Sequence, residues 1–474
     1  ECLGVARCPF GAECFAEKAR GKAAGVDIVV TNHALLAIDA LSDAPVLPEH
    51  DLLVIDEAHE LVDKVTDVAT QELSATPLAV AARRIARLVE TEIVERLETA
   101  TAALTSAIRD MAPGRIDQLD DGLATHLAAL RDAANAARRA VPTATGDARA
   151  NATRTEAIAA LDEIAETCSR TLESFGLEIP DRTDIVWITR DDTRGYVYLR
   201  VAPLSVAALL RGGLFQRATA VLTSATLTPG GSFDAVASEW GLAGEDSDEP
   251  RWRGIDVGSP FSHAKSAILY VARHLPPPGR DGAGSAEQLA EIAALIGAAG
   301  GRTLGLFSSM RAAVSAAEEM RQRLATPVLC QGDDATAALV ERFAEDPQTS
   351  LFGTLSLWQG VDVPGPSLSL VIIDRIPFPR PDDPLMAARQ RAVSARGGNG
   401  FMTVAATHAA LLLAQGSGRL LRRVDDKGVV AVLDSRMATA RYGRYLRDSL
   451  PPYWFTTDRN TVLAALNRLT AGNQ

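Results

Sequence analysis

Short runs of aliphatic residues recur along the chain and alternate with stretches of helical periodicity. The first runs are residues 26–31 and 52–55, and 197–201 and 218–222 follow in the middle of the chain. Further runs lie at 302–307, 327–329, 351–354, 368–374 and 429–433. Short apolar runs of this kind, alternating with helices, are typical of buried parallel strands. The pattern therefore predicts an α/β fold with two parallel sheets covered by helices.

Residues 66–182 have a different pattern, because Ala is abundant and Leu, Ile and Arg recur at helical spacing. No aromatic residue occurs between Phe15 and Phe175. Pro and Gly cluster near 112–114 and 141–146, so long helices with breaks at these two places are expected. A run of prolines and glycines at 276–284 predicts a linker before the last section.

Composition excludes several classes of protein. The chain has 474 residues, 47% hydrophobic and 23% charged, which is typical of a soluble protein. No run reaches the roughly 18 uninterrupted apolar residues of a transmembrane helix, so no membrane partner is expected. The net charge of −12 means that contact with nucleic acid would depend on local grooves. Five cysteines do not suggest a disulfide framework here and favour a reducing, cytoplasmic location.

Two carboxylates follow directly after the aliphatic run 52–55. Asp56 and Glu57 are placed at the carboxyl end of a predicted strand, where open α/β sheets bind ligands. In phosphoryl transfer one carboxylate holds Mg²⁺ and another orients the attacking water, which predicts these roles for Asp56 and Glu57 respectively. A helix start that merely carries acidic residues is the alternative.

Two arginines follow the apolar helical stretch 404–413. Arg419 and Arg422 are three residues apart, which places both on one face of a helix. Guanidinium groups suit a transferring phosphoryl group, so the pair is a candidate for arginine fingers. The alternative is a solvated surface rich in arginine.

Two further segments are weaker candidates. Residues 223–226, Thr-Ser-Ala-Thr, follow a predicted strand and suit a hydrogen-bond relay, although Ser/Thr turns are common. In the loop 358–365, Gly360 permits close backbone approach and Asp362 suits a ribose hydroxyl. An ordinary turn beside a packed Trp explains the same loop.

Three of the five cysteines are crowded near the start of the chain. Cys2, Cys8 and Cys14 have the spacing Cys-x5-Cys-x5-Cys, and thiolates this close in sequence ligate iron or zinc. Iron–sulfur clusters usually take four cysteines, so the residues alone support zinc and a cluster equally. Cys168 and Cys330 are expected to be core thiols.

Taken in order, several strings resemble motifs II to VI of superfamily 2 helicases, and most closely the iron–sulfur DinG/XPD branch. The strings are residues 56–59, 223–226, 301–309, 352–365 and 415–422, supported by 27–36, 202–204, 259–261 and 375–378. The match extends over nearly the whole chain except the helical section. It implies two RecA-like parallel-sheet motor domains with a helical arch insertion and a small cysteine-rich cluster loop.

The resemblance also implies cofactors and roles. ATP, Mg²⁺ and a [4Fe–4S] cluster are the implied cofactors, and single-stranded DNA and duplex junctions are the implied partners of a monomer. In addition to Asp56 and Glu57, His59 would couple the site to the other motor domain. The remaining implied residues are Gln415, Arg419, Arg422, Gly360 and Asp362 at the triphosphate, Cys2, Cys8 and Cys14 at the cluster, and Ser308, Ser309 and Thr354 at the DNA backbone.

The implied domain boundaries follow from the order of the motifs. A partial cluster domain occupies 1–25, the first motor domain 26–64 and 184–275, the arch 65–183, and the second motor domain 286–474.

A phosphate-binding loop of the form Gly-x-x-x-x-Gly-Lys-Ser/Thr does not occur in the 474 residues. In the DinG/XPD branch this loop and a further cluster cysteine lie upstream, and the chain starts at Glu1, so we expect a fragment that is inactive alone. The expected whole is an ATP-dependent 5′→3′ DNA helicase of repair or replication. A non-catalytic nucleic-acid scaffold with a structural cluster, which the missing loop favours, and a redox sensor are the alternatives.

Overall fold

The structure is a computed structural model that describes residues 13–42, 46–143, 148–191, 194–242, 252–279, 284–354, 357 and 367–472. The chain forms two compact units. The first unit contains residues 1–224, 236–252 and 381–398, and the second contains residues 225–235, 253–380 and 399–474.

The described strands belong to three sheets. In chain order they are β1 (Leu52–Ile55), β2 (Gln71–Ser74), β3 (Gly114–Arg115), β4 (Asp184–Asp191), β5 (Tyr196–Pro203), β6 (Thr219–Leu222), β7 (Ala267–Val271), β8 (Thr303–Leu306), β9 (Val328–Cys330), β10 (Ser350–Gly353), β11 (Leu370–Ile373), β12 (Gly428–Val432) and β13 (Trp454–Thr456). The sheet orders are β1-β6, β2-β5-β4-β3 and β13-β7-β12-β11-β8-β10-β9.

The described α-helices are, in chain order, α1 (Phe15–Ala23), α2 (His33–Leu41), α3 (Leu61–Ala69), α4 (Ala75–Ile85), α5 (Thr91–Asp110), α6 (Asp121–Ala140), α7 (Ala148–Phe175), α8 (Ala207–Leu210), α9 (Asp234–Glu239), α10 (His263–Ser266), α11 (Ala286–Ala299), α12 (Met310–Arg323), α13 (Thr336–Glu345), α14 (Pro384–Ala395), α15 (Thr407–Ser417), α16 (Arg436–Thr439), α17 (Gly443–Asp448) and α18 (Arg459–Gly472). Short 3-10 helices lie at Ala58–Glu60, Ile179–Asp181 and Pro229–Gly231, and π-helices at Arg211–Phe215 and Phe401–Ala406. None of the helices in the described ranges is both long and apolar enough to cross a membrane.

The helical part of the first unit has its own core. Leu97, Leu104, Leu127, Leu130 and Leu161, from α5, α6 and α7, are fully buried together. The α5 and α6 helices end where Pro and Gly cluster, so the predicted breaks near 112–114 and 141–146 are confirmed. The run 197–201 lies in β5, as a strand was predicted there, but the antiparallel sheet that β5 forms with β2 and β4 in this core was not predicted, because strand pairing is a tertiary property.

The predicted strand at residues 26–31 is not formed. This run has no regular secondary structure and leads into α2, and Ile28 and Val30 are 80% and 92% exposed. A strand is stable only where a neighbour satisfies its backbone N–H and C=O groups. No strand of the described chain pairs with this run, which is the physical reason that its β-branched residues do not form one.

The second unit is built around the seven-stranded sheet, in which every pairing is parallel. Val371 and Ile373 of β11 belong to one apolar core, whereas Leu370 and Ile372 belong to another. The sheet is therefore buried on both faces, as parallel sheets covered by helices are. The predicted α/β class is confirmed, and the seven-stranded parallel sheet is covered as predicted, whereas Leu52 and Val54 in the two-stranded parallel sheet are 60% and 67% exposed.

The segment 381–398 groups with the first unit, although the chain on either side of it groups with the second. Leu385 and Ala388 of α14 pack with Trp187 of β4. The Arg389 side chain donates through Nε to the carbonyl oxygen of Leu204 at 3.1 Å and through Nη2 to Thr66 Oγ1 at 3.0 Å. Both apolar and polar contacts thus fix α14 to this unit.

Candidate functional site

The carboxyl ends of β1 and β6 bring two of the sequence motifs together. Because the strands are parallel, Asp56 and Glu57 after β1 lie at the same sheet edge as Thr223 and Ser224 after β6. Thr223 Oγ1 donates a hydrogen bond to Asp56 Oδ1 at 2.8 Å, and Ser224 Oγ donates to Glu57 Oε2 at 3.4 Å. With His59, whose Nδ1 lies 2.8 Å from Ser224 Oγ, these residues form what we call the acidic edge.

The backbone at Glu57 makes a sharp turn. Glu57 has φ 47° and ψ 43°, the left-handed conformation that costs a non-glycine residue about 1–2 kcal/mol. The Ala58 N–H then donates to the Thr223 carbonyl oxygen at 2.9 Å, which holds the turn against β6. As a result Ala58 is buried while the Glu57 side chain is 58% exposed. The strained residue is the one that the motif predicts to act on water, and backbone strain of this kind clusters at active sites.

Burial of His59 beside the acidic edge favours its neutral imidazole. Its side chain is only 8% exposed, and burial lowers the pKa of His59 below its ordinary 6.5. The carboxylates of Glu57, Glu60 and Asp63 oppose this shift, whereas His33 adds to it. A neutral imidazole has one donor and one acceptor, which suits a relay through Ser224.

The lowered pKa of His59 predicts a pH-dependent stability. The unfolded chain binds a proton at His59 near pH 6.5, but the folded chain does so only at a lower pH. The contribution of the neutral imidazole to the free energy of unfolding is therefore fully present above pH 6.5. It is lost as the pH falls through the pKa of His59 in the folded protein. We expect the melting temperature to fall on acidification, and to fall less in His59→Gln. Thermal unfolding from neutral pH to about pH 5 measures this.

The exposed His50, whose Nδ1 lies 2.8 Å from the Pro48 carbonyl oxygen, provides the control. His50→Gln should retain the acid-induced loss of the wild type. Equal losses in the wild type and His59→Gln would assign the effect to other groups.

The second set of predicted residues lies in the second unit. Gln415 is in α15, but that helix ends at Ser417, so the prediction that Arg419 and Arg422 share a helix face is wrong. Glycines at 416 and 418 weaken the helix at this point and end it. Both arginines instead follow the helix in irregular chain, where the Arg422 N–H donates to Asp426 Oδ2 at 2.8 Å.

Some predicted ligands fall outside the residues that the structure describes. These are Gly360, Asp362, Cys2 and Cys8. Cys14 is described as a free, partly exposed thiol immediately before α1. Within the described ranges, no three or more His, Cys, Asp or Glu side chains group closely enough to hold a metal ion.

The three predicted DNA-backbone contacts follow β8 and β10, at the carboxyl edge of the seven-stranded sheet. Ser308 Oγ donates to Asp374 Oδ2 at 3.0 Å, and Thr354 Oγ1 donates to Gln331 Oε1 at 3.1 Å. Ser309 caps the start of α12. These hydroxyl groups therefore hold loops of their own unit in place. Burial, as the largest influence, raises the pKa of Asp374 to about 6.

Comparison with known proteins places this geometry in a family. The profile of the helicase C-terminal domain matches residues 292–453. The ATP-dependent helicase DinG of Mycobacterium tuberculosis is 69% identical over 471 residues, which cover 99% of this chain and 70% of that protein. The chain belongs to the DinG family of ATP-dependent helicases.

A second relative agrees with DinG-family membership, and a solved structure has a similar fold. The ATP-dependent DNA helicase YoaA of Escherichia coli is 32% identical, over 96% of this chain and 72% of that protein. A solved XPD helicase has a TM-score of 0.51 at 17% identity, covering 89% of this chain and 72% of that one. The XPD match is a likeness of fold, and it agrees with the predicted RecA-like architecture. A DinG-family protein is an ATP-hydrolysing enzyme, so the predicted enzyme class is confirmed.

Sequence reasoning missed one residue near the acidic edge of this DinG-family chain. His33 Nε2 lies 2.8 Å from the carbonyl oxygen of Asp56. The sequence signal was present in part, because Asn32 caps α2 by accepting the Leu35 N–H at 2.9 Å. An Asn before an apolar helical run predicts that helix start, but the contact between His33 and Asp56 is tertiary.

Proposed function

We propose that this DinG-family chain is the catalytic part of an ATP-dependent DNA helicase that moves 5′→3′ along single strands in repair or replication. The observation that carries the proposal is the acidic edge, where Thr223 and Ser224 hold Asp56 and Glu57 at one strand end. Carboxylates at the carboxyl end of parallel strands are placed to meet the phosphates of a nucleotide. The similarity to the ATP-dependent DNA helicase YoaA supports DNA as the substrate.

Asp56 is suited to a magnesium ion. Its Oδ1 accepts from Thr223 and from the Glu57 N–H at 2.9 Å, and no hydrogen bond within the described chain reaches its Oδ2. Oδ2 is thus available to a metal-bound water, since Mg²⁺ usually keeps several waters. When bound, Mg²⁺ neutralises charge on the β- and γ-phosphates.

Glu57 is the proposed base. Its exposed carboxylate orients the attacking water and accepts the water proton at one Oε atom. Ser224 Oγ lies 3.4 Å from Glu57 Oε2 and 2.8 Å from His59 Nδ1, so these two side chains fix the orientation of the carboxylate. His59 is therefore a positioning residue that links the acidic edge to β6.

The triphosphate contacts on the second unit are proposed by family resemblance. Arg419 and Arg422 meet the negative charge that develops on the γ-phosphate, and Gln415, Gly360 and Asp362 contact the nucleotide beside them. Ser308, Ser309 and Thr354 are the proposed DNA-backbone contacts. Because phosphate oxygens accept hydrogen bonds, Ser308 and Thr354 must turn their hydroxyl protons away from Asp374 and Gln331 to make them.

The cysteine-rich start of the chain is the proposed cluster site. Cys2, Cys8 and Cys14 supply three thiolates, and a [4Fe–4S] cluster takes a fourth ligand from elsewhere in the gene product. Cys14 is a free thiol, which is compatible with this role, because a cluster ligand must not be engaged in a disulfide. We place the cluster domain at 1–25, the arch at 65–183, and the motor domains at 26–64 with 184–275 and at 286–474.

The competing function is a nucleic-acid-binding scaffold without catalysis, which the absence of a phosphate-loop motif from the 474 residues favours. Measuring ATP hydrolysis by the complete gene product, with and without single-stranded DNA, separates the two. A helicase hydrolyses ATP faster with DNA and opens a duplex that has a 5′ tail. A scaffold binds DNA without stimulation, and opening of only 3′-tailed duplexes would overturn the proposed direction. The 474-residue chain by itself is expected to be inactive in this assay.

A further inference from the structure

Three aromatic rings meet on the second unit. Phe378, Phe401 and Tyr442, which we call the aromatic cluster, have ring centroids 5.3–5.4 Å apart in every pair. Phe378 and Tyr442 are partly buried against the apolar core, whereas Phe401 is 38% exposed. Two rings therefore anchor the cluster, and the third is partly exposed to solvent.

A fixed guanidinium borders the cluster. Arg436 lies 5.8 Å from the centroid of the Phe378 ring. Asp434 is fully buried and accepts from Arg436 Nε at 2.9 Å and from Nη2 at 2.7 Å. Asp434 also accepts the N–H of Ile376 at 3.0 Å, which fixes the chain that leads to Phe378. One buried carboxylate thus holds both the ring and the cation in place, while 35% of the Arg436 side chain stays exposed.

The position of the cluster points to a nucleic acid. Phe378 and Arg436 follow β11 and β12, which are neighbours in the parallel sheet. The segments after these strands lie at the same carboxyl edge as Ser308 and Thr354, which follow β8 and β10. The cluster therefore lies on the edge of the sheet where the proposed backbone contacts are.

The sequence around the aromatic cluster contains exposed cations as well as the exposed carboxylate of Asp382, two residues after Arg380. Arg380 and Arg441 lie within two residues of Phe378 and Tyr442 and are exposed, and neither has a hydrogen bond or ion pair within the described part of the chain. The chain as a whole has a net charge of −12. Exposed cations beside an exposed ring complement a polyanion with flat, apolar bases. An uncharged apolar partner would gain nothing from these arginines.

Phe401 has one further unusual feature. It is the first residue of the π-helix Phe401–Ala406, which continues directly into α15. Single π-helical turns within a helix are uncommon and frequently occur at functional sites. The wider turn sets where the Phe401 ring is presented relative to Phe378 and Tyr442.

We propose that the aromatic cluster is a base-stacking site for single-stranded DNA, with Phe401 as the ring on which a base stacks. This inference rests on the proposed helicase function, which supplies the strand. Any base can stack on the ring, because every base has a π face. The site therefore binds single-stranded DNA independently of its sequence. Arg436 lies at the border of the same surface and adds cation–π attraction.

The test compares two ligands on one variant. Phe401→Ala in the complete gene product should bind oligothymidylate about tenfold more weakly, which is typical of one lost base stack. Its affinity for an abasic strand of the same length, which has phosphates but no bases, should be unchanged. Fluorescence anisotropy without nucleotide measures both affinities. Phe401→Trp should restore binding, whereas Phe401→Leu, which keeps apolar volume without a ring, should not.

Phe455 provides the matched control, because it is a phenylalanine of the same unit that is 42% exposed. Phe455→Ala should leave both affinities unchanged. Equal weakening of both ligands in Phe401→Ala, or no weakening of either, would overturn the stacking site. If the wild type binds neither strand, the proposed helicase function fails instead.

A second measurement needs no variant, and so does not depend on how Phe401→Ala folds. Oligothymidylate that carries 5-iododeoxyuridine forms photo-crosslinks to aromatic rings that stack on it. Mass spectrometry of the wild-type adduct should identify the peptides that contain Phe378, Phe401 or Tyr442. Crosslinks found only at other aromatic residues would refute the assignment.

Discussion

Glu57→Gln should abolish ATP turnover by the complete gene product while nucleotide binding is retained. The substitution keeps the size and shape of the side chain but replaces one carboxylate oxygen with an amide nitrogen, so the side chain can no longer accept a proton. Loss of a general base typically costs about 100-fold to 10,000-fold in rate. Steady-state phosphate release with saturating single-stranded DNA measures turnover, and a fluorescent ATP analogue measures binding.

The control for this variant is Glu49→Gln. Glu49 is exposed and precedes β1, so it carries the same charge change at the opposite end of the strand. Its turnover should equal that of the wild type. Near-normal turnover in Glu57→Gln would remove Glu57 from the role of base, and loss of nucleotide binding would indicate damage to the left-handed turn instead.

Arg422→Ala is the second substitution with a large expected effect. If the Arg422 guanidinium neutralises charge on the transferring γ-phosphate, its removal should lower turnover by about 1,000-fold or more. Its backbone N–H to Asp426 is kept in the variant, so the turn after α15 should remain. The same phosphate-release assay reports the loss, and DNA affinity without nucleotide should be little changed.

Arg423→Ala is a close control, because the Arg423 N–H donates to the same Asp426 carboxylate at 2.7 Å and the side chain is also exposed. Turnover should be normal in that variant. A small effect of Arg422→Ala, with a large effect of Arg419→Ala, would transfer the finger role to Arg419. Small effects of both Arg422→Ala and Arg419→Ala would mean that neither arginine stabilises the transferring phosphate.

The fold was predictable where burial alone determines the pattern. The strands β8, β10, β11 and β12 are buried on both faces, so their aliphatic runs were readable from the sequence. The run 26–31 has the same composition but forms no strand, because strand formation also needs a pairing partner. Composition indicates which runs are suited to burial, whereas actual burial and pairing are tertiary properties.

The candidate site shows the same division. The sequence predicted that Asp56 and Thr223 would each follow a strand, but their 2.8 Å hydrogen bond depends on the pairing of β1 with β6 across the long helical section. No local pattern encodes that pairing. The error at Arg419 was avoidable, because the glycines on either side of Ser417 were a signal that the helix stops.

The division of the chain limits how the protein can be dissected. The polypeptide crosses between the two units at 224/225, 235/236, 252/253, 380/381 and 398/399. A single proteolytic cut therefore cannot release both units intact. A truncation that stops before residue 381 would also remove Leu385 and Ala388 from Trp187 and expose an indole that is otherwise 9% exposed. To express one unit alone, its separate segments would have to be produced together, or they would have to be joined in a new order in one chain.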